Sequence, residues 1–289
     1  MRFPPYWAKG KALGMGPLGQ EIPYRCWRWS DTSLEEAQSL ADEAARQLAE
    51  RMSAGGPPPN RYGYADRPLR EEVIQELQND ARELSAAVTR NSYGCLVLNA
   101  ARVMFIDVDF PPPQTGSSLG GWLGRLLGRT PPPSAADVEQ AAVAKVKDWV
   151  SDRPEWALRV YRTRAGLRLL ATQELFAPEA EATQSAMQQL GCDPLYLRLC
   201  RVQQSFRARL TPKPWRCNVP LPPVRFPYAD ARAVASLERW QERYQSACKG
   251  AATCRLVDVL GSSRVHAEAE PIIALHDQLT RIEAGLPLA

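Results

Sequence analysis

The segment from Phe105 to Phe110 constrains the fold of this chain most, because apolar and acidic residues alternate along it. Side chains of a β-strand point to opposite faces in turn, so Asp107 and Asp109 share one face, and Ile106, Val108 and Phe110 share the other. Two carboxylates one strand repeat apart repel each other, and when partly buried they require a divalent cation or an arginine. The sequence therefore predicts a buried strand whose acidic face meets a cationic group.

Predicted strands and helices follow this segment in the order strand, helix, strand, strand, helix, strand. They cover a strand at 103–110, a helix at 134–151, strands at 156–162 and 167–172, a helix at 178–190 and a strand within 202–210. This β-α-β-β-α-β order is typical of a ferredoxin-like or RRM-like sheet with both helices on one face. We therefore expect an α+β protein whose second sheet face is open to a ligand or to further strands.

The remaining sequence is expected to pack around that core in two flanking parts. Residues 1–84 predict an irregular, aromatic-rich stretch of about thirty residues, then a helix capped by Ser33 and a second helix at 68–79. Residues 85–225 hold the core, including additional strands near 86–89 and 95–98, and carry a Pro- and Gly-rich insertion at 111–134. Residues 226–289 predict a helical layer with helices at 231–248 and 271–284.

Cysteine and histidine usage narrows the chemistry that this chain can perform. The seven cysteines form no CxxC pair and have no histidine at ligand spacing, which argues against a zinc site or a disulfide framework. Only two histidines occur, so carboxylates, arginines or a metal must carry any catalysis. No stretch approaches the ~20 apolar residues of a membrane span, and the amino terminus lacks the apolar core of a secretory signal. We expect a cytoplasmic protein with reduced thiols.

Positive charge is concentrated in the second half of the predicted core. The whole chain has a net charge of +4. The segment from Arg153 to Arg225 contains twelve basic and five acidic side chains, so its net charge is +7. Most of these cations are arginines, whose planar fork suits phosphate. The candidate nucleotide- or nucleic-acid-binding residues are Arg162, Arg164, Arg168, Arg207, Arg209 and Lys213. The alternative is a solvated basic surface.

Three segments between residues 102 and 216 together resemble the archaeo-eukaryotic primase and primase-polymerase superfamily. They are the Asp107-Val-Asp109 strand end, the tight turn at Gly166 and the single Asp193. The resemblance implies an RRM-like core in which the three aspartates are catalytic and bind two Mg²⁺ or Mn²⁺ ions. These ions would orient an attacking hydroxyl and a nucleoside triphosphate, as in a metal-dependent nucleotidyltransferase.

One position departs from the pattern of that superfamily. Arg168 stands where the superfamily has a histidine after the glycine turn. On a regular strand Arg168 faces the same side as the two aspartates, so it either holds a phosphate or neutralises the carboxylates. The departure leaves open a relative that binds nucleotide or nucleic acid and has lost polymerisation.

Three other functions are compatible with the same residues. A haloacid-dehalogenase-like phosphatase would use Asp107 as nucleophile, with Thr163, Lys213 and Asp258 in the required order, on a doubly wound sheet. A non-catalytic single-strand nucleic-acid binder would use an arginine and aromatic platform on the open sheet face. That platform comprises Arg159, Tyr161, Phe206, Arg207, Arg209 and Trp215. A protein-interaction module would pair the aspartates with arginines and contact its partner, or a membrane surface, through the 111–134 insertion.

Overall fold

All neighbouring strands in the described part of the chain run antiparallel. The computed structural model describes residues 1–57, 68–111 and 134–289. Within these ranges the strands are β1 Tyr6–Met15, β2 Glu21–Ser30, β3 Glu72–Gln78, β4 Leu84–Arg90, β5 Leu96–Ala100, β6 Phe105–Asp109, β7 Ala157–Thr163, β8 Gly166–Ala171, β9 Phe206–Arg209 and β10 Cys254–Gly261. The helices are α1 Leu34–Ser53, α2 Ala135–Ser151, α3 Glu181–Gln189, α4 Pro194–Gln203, α5 Ala231–Cys248 and α6 Ala269–Thr280, with a short 3-10 helix at Pro214–Cys217. The predicted α+β class is confirmed.

Two four-stranded sheets form the body of the protein. The first has the order β10-β7-β8-β6, and the second has the order β3-β4-β5-β9. In the first sheet Arg168 of β8 lies opposite both Asp107 of β6 and Tyr161 of β7. This register places the three side chains on one face of the sheet.

The edges of the two sheets meet where β6 runs beside β9, and the first turn of α4 fills the space between them. The Tyr196 hydroxyl lies 3.1 Å from the carbonyl oxygen of Phe105 on β6 and 2.8 Å from that of Arg207 on β9. It also accepts a hydrogen bond of 3.0 Å from the Arg207 backbone N–H. The Asp193 backbone N–H donates to the carbonyl of Asp107 at 3.0 Å. These bonds satisfy backbone groups that the sheet ladders leave unpaired.

The main core lies against the apolar face of the first sheet. Val143, Val146 and Val150 follow helical spacing on α2 and belong to the same buried cluster as Leu167 and Leu169 of β8. Ser134 and Asp137 form a reciprocal capping box at the start of α2. The sequence pattern thus fixes both where α2 begins and which of its faces is buried.

The amino-terminal residues form a separate hairpin, β1–β2, that packs on α1. Gly10 makes this packing close, because a Cβ at that position would lie 2.0 Å from the backbone oxygen of Ala41. Small residues of α1, among them Ala41, Ala45 and Ala49, line its buried face. Glycine in the strand and alanine in the helix therefore let the two backbones approach.

Several predicted elements are confirmed with small changes in their bounds. They are the strands at 86–89, 95–98, 103–110, 156–162 and 167–172, and the helices at 134–151, 178–190, 231–248 and 271–284. Ser33 caps α1 as predicted, since its hydroxyl accepts the Glu36 N–H at 3.1 Å. The predicted last strand is only the four residues of β9.

Other expectations are wrong. Residues 1–30 are not irregular, because β1 and β2 pair along their whole length. The helix predicted at 68–79 is instead strand β3, which pairs with β4. The carboxyl-terminal layer is not purely helical, since β10 extends the first sheet beside β7. In each case pairing with a partner strand overrides the local preference of the segment.

The sheet face that carries Asp107 is not open at its centre, contrary to the expectation of a free face. His276 of α6 is fully buried there, with its ring 5.3 Å from that of Phe105 and 4.8 Å from that of Tyr161. The end of this face near Asp109 is exposed.

Residues 112–133, which make up nearly all of the predicted insertion, lie outside the described residues. The proposed partner contact through the insertion therefore stays a prediction, as do the domain boundaries. In the described ranges, no helix combines the length and the apolar character that a membrane crossing requires.

Candidate functional site

Asp107 is held by an arginine from the neighbouring strand. The Arg168 Nε donates to one carboxylate oxygen at 2.9 Å, and an Nη atom lies 3.3 Å from the other. Arg168 is 1% exposed, whereas the Asp107 side chain is 32% exposed. Although burial favours the neutral guanidinium, the Asp107 carboxylate holds the pKa of Arg168 above its ordinary value.

The third contact of Arg168 joins the two sheets. Its other Nη donates to the backbone carbonyl of Arg209 on β9 at 2.9 Å. All of its nitrogens are therefore bonded within the protein, and its side chain lies beneath the surface. Of the two roles that the sequence allows, neutralising a carboxylate fits this geometry and holding a phosphate does not.

Asp109 and Asp193 stand in different surroundings from Asp107. Asp193 precedes α4, and its carboxylate accepts the Tyr196 backbone N–H at 2.7 Å as a helix cap. Asp109 ends β6 and is exposed. Partial burial, and then the charges of Asp193 and Asp107, raise the pKa of Asp109 above its ordinary value. The three predicted aspartates are therefore near enough to influence one another, but among the described residues only Asp107 has an arginine partner.

A cluster of three cations lies beside Asp109, and we call it the cation cluster: Arg209, Lys213 and Arg216. None of the three forms an ion pair with a carboxylate of the described residues. Desolvation, and then the charges of Arg209 and Arg216, lower the pKa of Lys213. Desolvation and Arg168 likewise lower the pKa of Arg209, whose Nε is buried without a hydrogen-bond partner in the described structure. Positive charges are thus crowded together, and an anion would relieve their repulsion.

The turn between β7 and β8 contributes less to this site than its sequence suggests. Arg162 pairs with Glu139 at 2.9 Å, and its guanidinium lies 4.6 Å from the Phe110 ring centroid. Arg164 is exposed and donates to the carbonyl of Leu288 at 3.3 Å. Arg164 adds to the positive charge felt by the cation cluster, whereas Arg162 is neutralised.

Arg207, one of the candidate binding residues, lies in a buried ion pair. Its guanidinium makes hydrogen bonds of 2.9 and 3.0 Å to both carboxylate oxygens of Glu71, and a third to Asn99. Both partners of this ion pair are less than a tenth exposed. This position speaks against a role for Arg207 in nucleotide or nucleic-acid binding, because both of its terminal nitrogens bond partners inside the protein.

The predicted arginine and aromatic platform is also largely interior. Arg159 pairs with Asp277 at 2.7 Å, and Tyr161 bonds the other oxygen of that carboxylate at 2.8 Å. Phe206 is fully buried. Of the six platform residues only Arg209 and Trp215 lie at the candidate site.

A buried polar network around Asp277 was missed by the sequence reasoning. His276 Nδ1 lies 2.9 Å from the Asp277 carboxylate, and its Nε2 lies 3.8 Å from the Cys254 sulfur. Burial lowers the pKa of His276, which therefore favours the neutral imidazole. The sequence signal for this network is the adjacent His276 and Asp277 on an otherwise apolar helix. Nothing in the sequence, however, indicates that Cys254 and Tyr161 lie beside them.

The aspartates suit a divalent cation only in part. Among the described residues no group of three or more His, Cys, Asp or Glu side chains is arranged to hold a metal ion. Arg168 occupies both oxygens of Asp107, and one oxygen of Asp193 caps α4. Asp109 and the second oxygen of Asp193 are the acceptors that could bind a Mg²⁺ or Mn²⁺ ion.

Comparison with models of protein families, with curated proteins and with solved structures found no match for this chain. Its function must therefore be argued from the site itself.

Replacing Arg168 should destabilise the protein through both of its contacts. We expect Arg168→Ala to lower the free energy of unfolding by about 3 kcal/mol or less. This value is at or below the low end of the range for breaking a buried ion pair, because water can reach the Asp107 carboxylate that is left behind. Denaturant unfolding of Arg168→Ala, Asp107→Asn and the double variant measures the coupling between the two side chains. Additive effects of the two substitutions would contradict the ion pair.

Replacing Asp109 should reveal its unfavourable ionisation. A carboxyl whose pKa is raised by folding makes the folded state less stable as pH rises above its unfolded value of 3.8. Asp109→Asn should therefore melt at a higher temperature than wild type at pH 7, and the difference should vanish near pH 3. Thermal melts across this range test it, with Asp230→Asn, at a carboxylate that caps α5, as the matched control expected to leave the melting temperature nearly unchanged, because Asn caps a helix about as well as Asp. A gain that is independent of pH would show that ionisation is not its cause.

Proposed function

We propose that this protein binds nucleotides or single-stranded nucleic acid through phosphate groups held at the cation cluster. The observation that carries this proposal is the crowding of three cations that have no carboxylate partner in the described structure. A phosphate would accept charge-assisted hydrogen bonds from the terminal guanidinium nitrogens of Arg209 and from Lys213.

Aromatic side chains beside the cluster support a base-containing ligand. Trp215 is 49% exposed, and the Lys213 Nζ lies 5.3 Å from its ring centroid. The exposed Tyr93 meets Trp215 edge to face at 5.4 Å. A large exposed aromatic next to phosphate-binding cations suits stacking against an unpaired base.

We further propose that the core is a diverged ferredoxin-like or RRM-like unit formed by β6, α2, β7, β8, α3 and β9. The adjacent order β7-β8-β6 supports this proposal, and so does the position of β9 beside β6. The difference is that β9 pairs with β5 and leaves a gap that the first turn of α4 fills.

A second candidate function is a primase-polymerase-like, metal-dependent nucleotidyltransferase. The raised pKa of Asp109, which burial and the neighbouring Asp193 and Asp107 cause, favours it, since a divalent cation relieves repulsion between carboxylates. Mg²⁺ or Mn²⁺ would be held by Asp109 and Asp193, and when bound it would polarise a phosphoryl group.

The phosphatase alternative receives no support from the strand arrangement. A doubly wound fold needs neighbouring parallel strands, whereas the described strands pair antiparallel. Asp258 lies on β10 at the opposite edge of the sheet from Asp107, where it pairs with Lys147 at 2.8 Å.

Removing one cation of the cluster should weaken nucleotide binding. We expect Lys213→Ala to reduce the affinity for ATP about tenfold or more, because a hydrogen bond to a charged group contributes about 1.5–3 kcal/mol. Isothermal titration at low salt without divalent metal measures this effect, and Arg201→Ala on the exposed side of α4 is the matched control. Equal affinities for both variants, or no binding by wild type, would contradict the proposal.

Divalent metal should stabilise the protein if the second candidate is right. Metal that binds only the native state adds to its stability by mass action. We expect Mn²⁺ or Mg²⁺ to raise the melting temperature of wild type and to leave that of Asp109→Asn unchanged. The same shift in both proteins would remove Asp109 from any metal site.

A further inference from the structure

The hairpin β1–β2 presents a basic face on the side that α1 does not cover. Residues on one side of the hairpin, including Gly10 and Gly14, meet the helix. The other side carries the cross-strand pairs Trp7–Trp29, Lys9–Trp27, Lys11–Arg25, Leu13–Pro23 and Met15–Glu21. We call this side the ribbon face; the only carboxylate among its residues is Glu21, at the far end.

The pair Lys11–Arg25 places two cations directly opposite each other. Side chains in such positions have Cβ atoms roughly 4.5–5.5 Å apart, and like charges there destabilise a sheet. Both side chains are exposed, and neither forms an ion pair with a carboxylate of the described residues. The hairpin therefore carries an electrostatic cost that an anionic ligand would offset.

The positive surface continues to both sides of this pair. Lys9 lies one cross-strand layer away, with its Nζ 5.9 Å from the Trp27 ring centroid. The Arg70 guanidinium stacks on the same ring at 3.9 Å. Arg25 and Arg51 also line a groove of about 650 Å³ between β2 and α1. Cations of the hairpin, of α1 and at Arg70 therefore lie on both sides of the Lys11–Arg25 pair, where the regularly spaced phosphates of a nucleic acid could meet several of them.

The tip of the hairpin adds an apolar element. Leu18 in the turn is 90% exposed, and Leu13 and Met15 next to it are also exposed. Proteins that bind DNA through β-ribbons insert apolar side chains between bases while cations contact the backbone. A basic strip that ends in an apolar tip therefore matches nucleic acid better than a small anion.

We propose that the ribbon face is a second nucleic-acid-binding surface, distinct from the cation cluster. Lys9, Lys11 and Arg25 contact successive phosphates, and the hairpin tip contacts bases. A two-stranded ribbon also has the width that the major groove of a duplex admits.

The substitution Lys11→Glu separates ligand binding from hairpin stability. It places a carboxylate opposite Arg25, so the melting temperature should stay the same or rise. Binding to a labelled 20-mer should weaken about tenfold, and the dependence of affinity on salt concentration should become shallower. A residue that only supports the fold would not combine unchanged stability with weaker binding.

The control is Arg239→Glu, which makes the same charge change at an exposed position of α5. Fluorescence anisotropy with duplex and single-stranded 20-mers of one sequence shows which form the ribbon face prefers. Titration of Lys11→Glu with ATP should give the wild-type affinity, so that failure here and failure at the cation cluster are distinguishable.

Equal oligonucleotide affinities for wild type and Lys11→Glu would overturn the proposal. The same conclusion would follow if Arg239→Glu weakened binding as much as Lys11→Glu, because net charge would then explain the loss. Sedimentation with vesicles containing phosphatidylserine tests the other polyanionic surface. Binding to vesicles that Lys11→Glu abolishes, without any effect on oligonucleotides, would assign the ribbon face to membranes instead.

Discussion

The contact between Arg168 and Asp107 determines how the two main sheets are placed. One buried guanidinium bonds a carboxylate on β6 and a backbone carbonyl on β9, so it joins strands from both sheets. An ion pair in such a position contributes little net stability, but the loss of one partner leaves the other without compensation. Its main effect on the fold is therefore to hold β6 and β9 in register with each other where the two sheets meet.

The same contact sets the charge pattern of the candidate site. The buried Arg168 neutralises the partly exposed Asp107, while Asp109, two residues further along the strand, lies exposed beside the cation cluster. A single strand therefore carries one structural and one accessible carboxylate. The sequence shows two equivalent aspartates, and only the register with β8 makes them different.

The sequence predicts the elements whose pattern is local and regular. Alternation around Asp107 predicted β6, and the valine spacing and the cap at Ser134 predicted α2. The shared face of Arg168 and the aspartates followed from the same alternation.

Elements that depend on distant partners were missed. The amino-terminal glycines indicate a loop by composition, yet Gly10 serves close packing against α1. Arg207 lies in an arginine-rich segment that suggests ligand binding. Its actual partner, Glu71, is 136 positions away in the sequence and could not be identified from it. The partners of His276 were hidden for the same reason, since Cys254 and Tyr161 come from two different strands.

The first turn of α4 has a consequence for how the molecule behaves among its own copies. A strand at the end of a sheet offers unpaired N–H and C=O groups to any similar strand, and such edges promote aggregation. Here the Tyr196 hydroxyl and the Asp193 amide occupy these groups where β6 and β9 face each other. The edges of β6 and β9 therefore face each other inside the protein and are bonded to the first turn of α4. They are not available for strand pairing with another molecule.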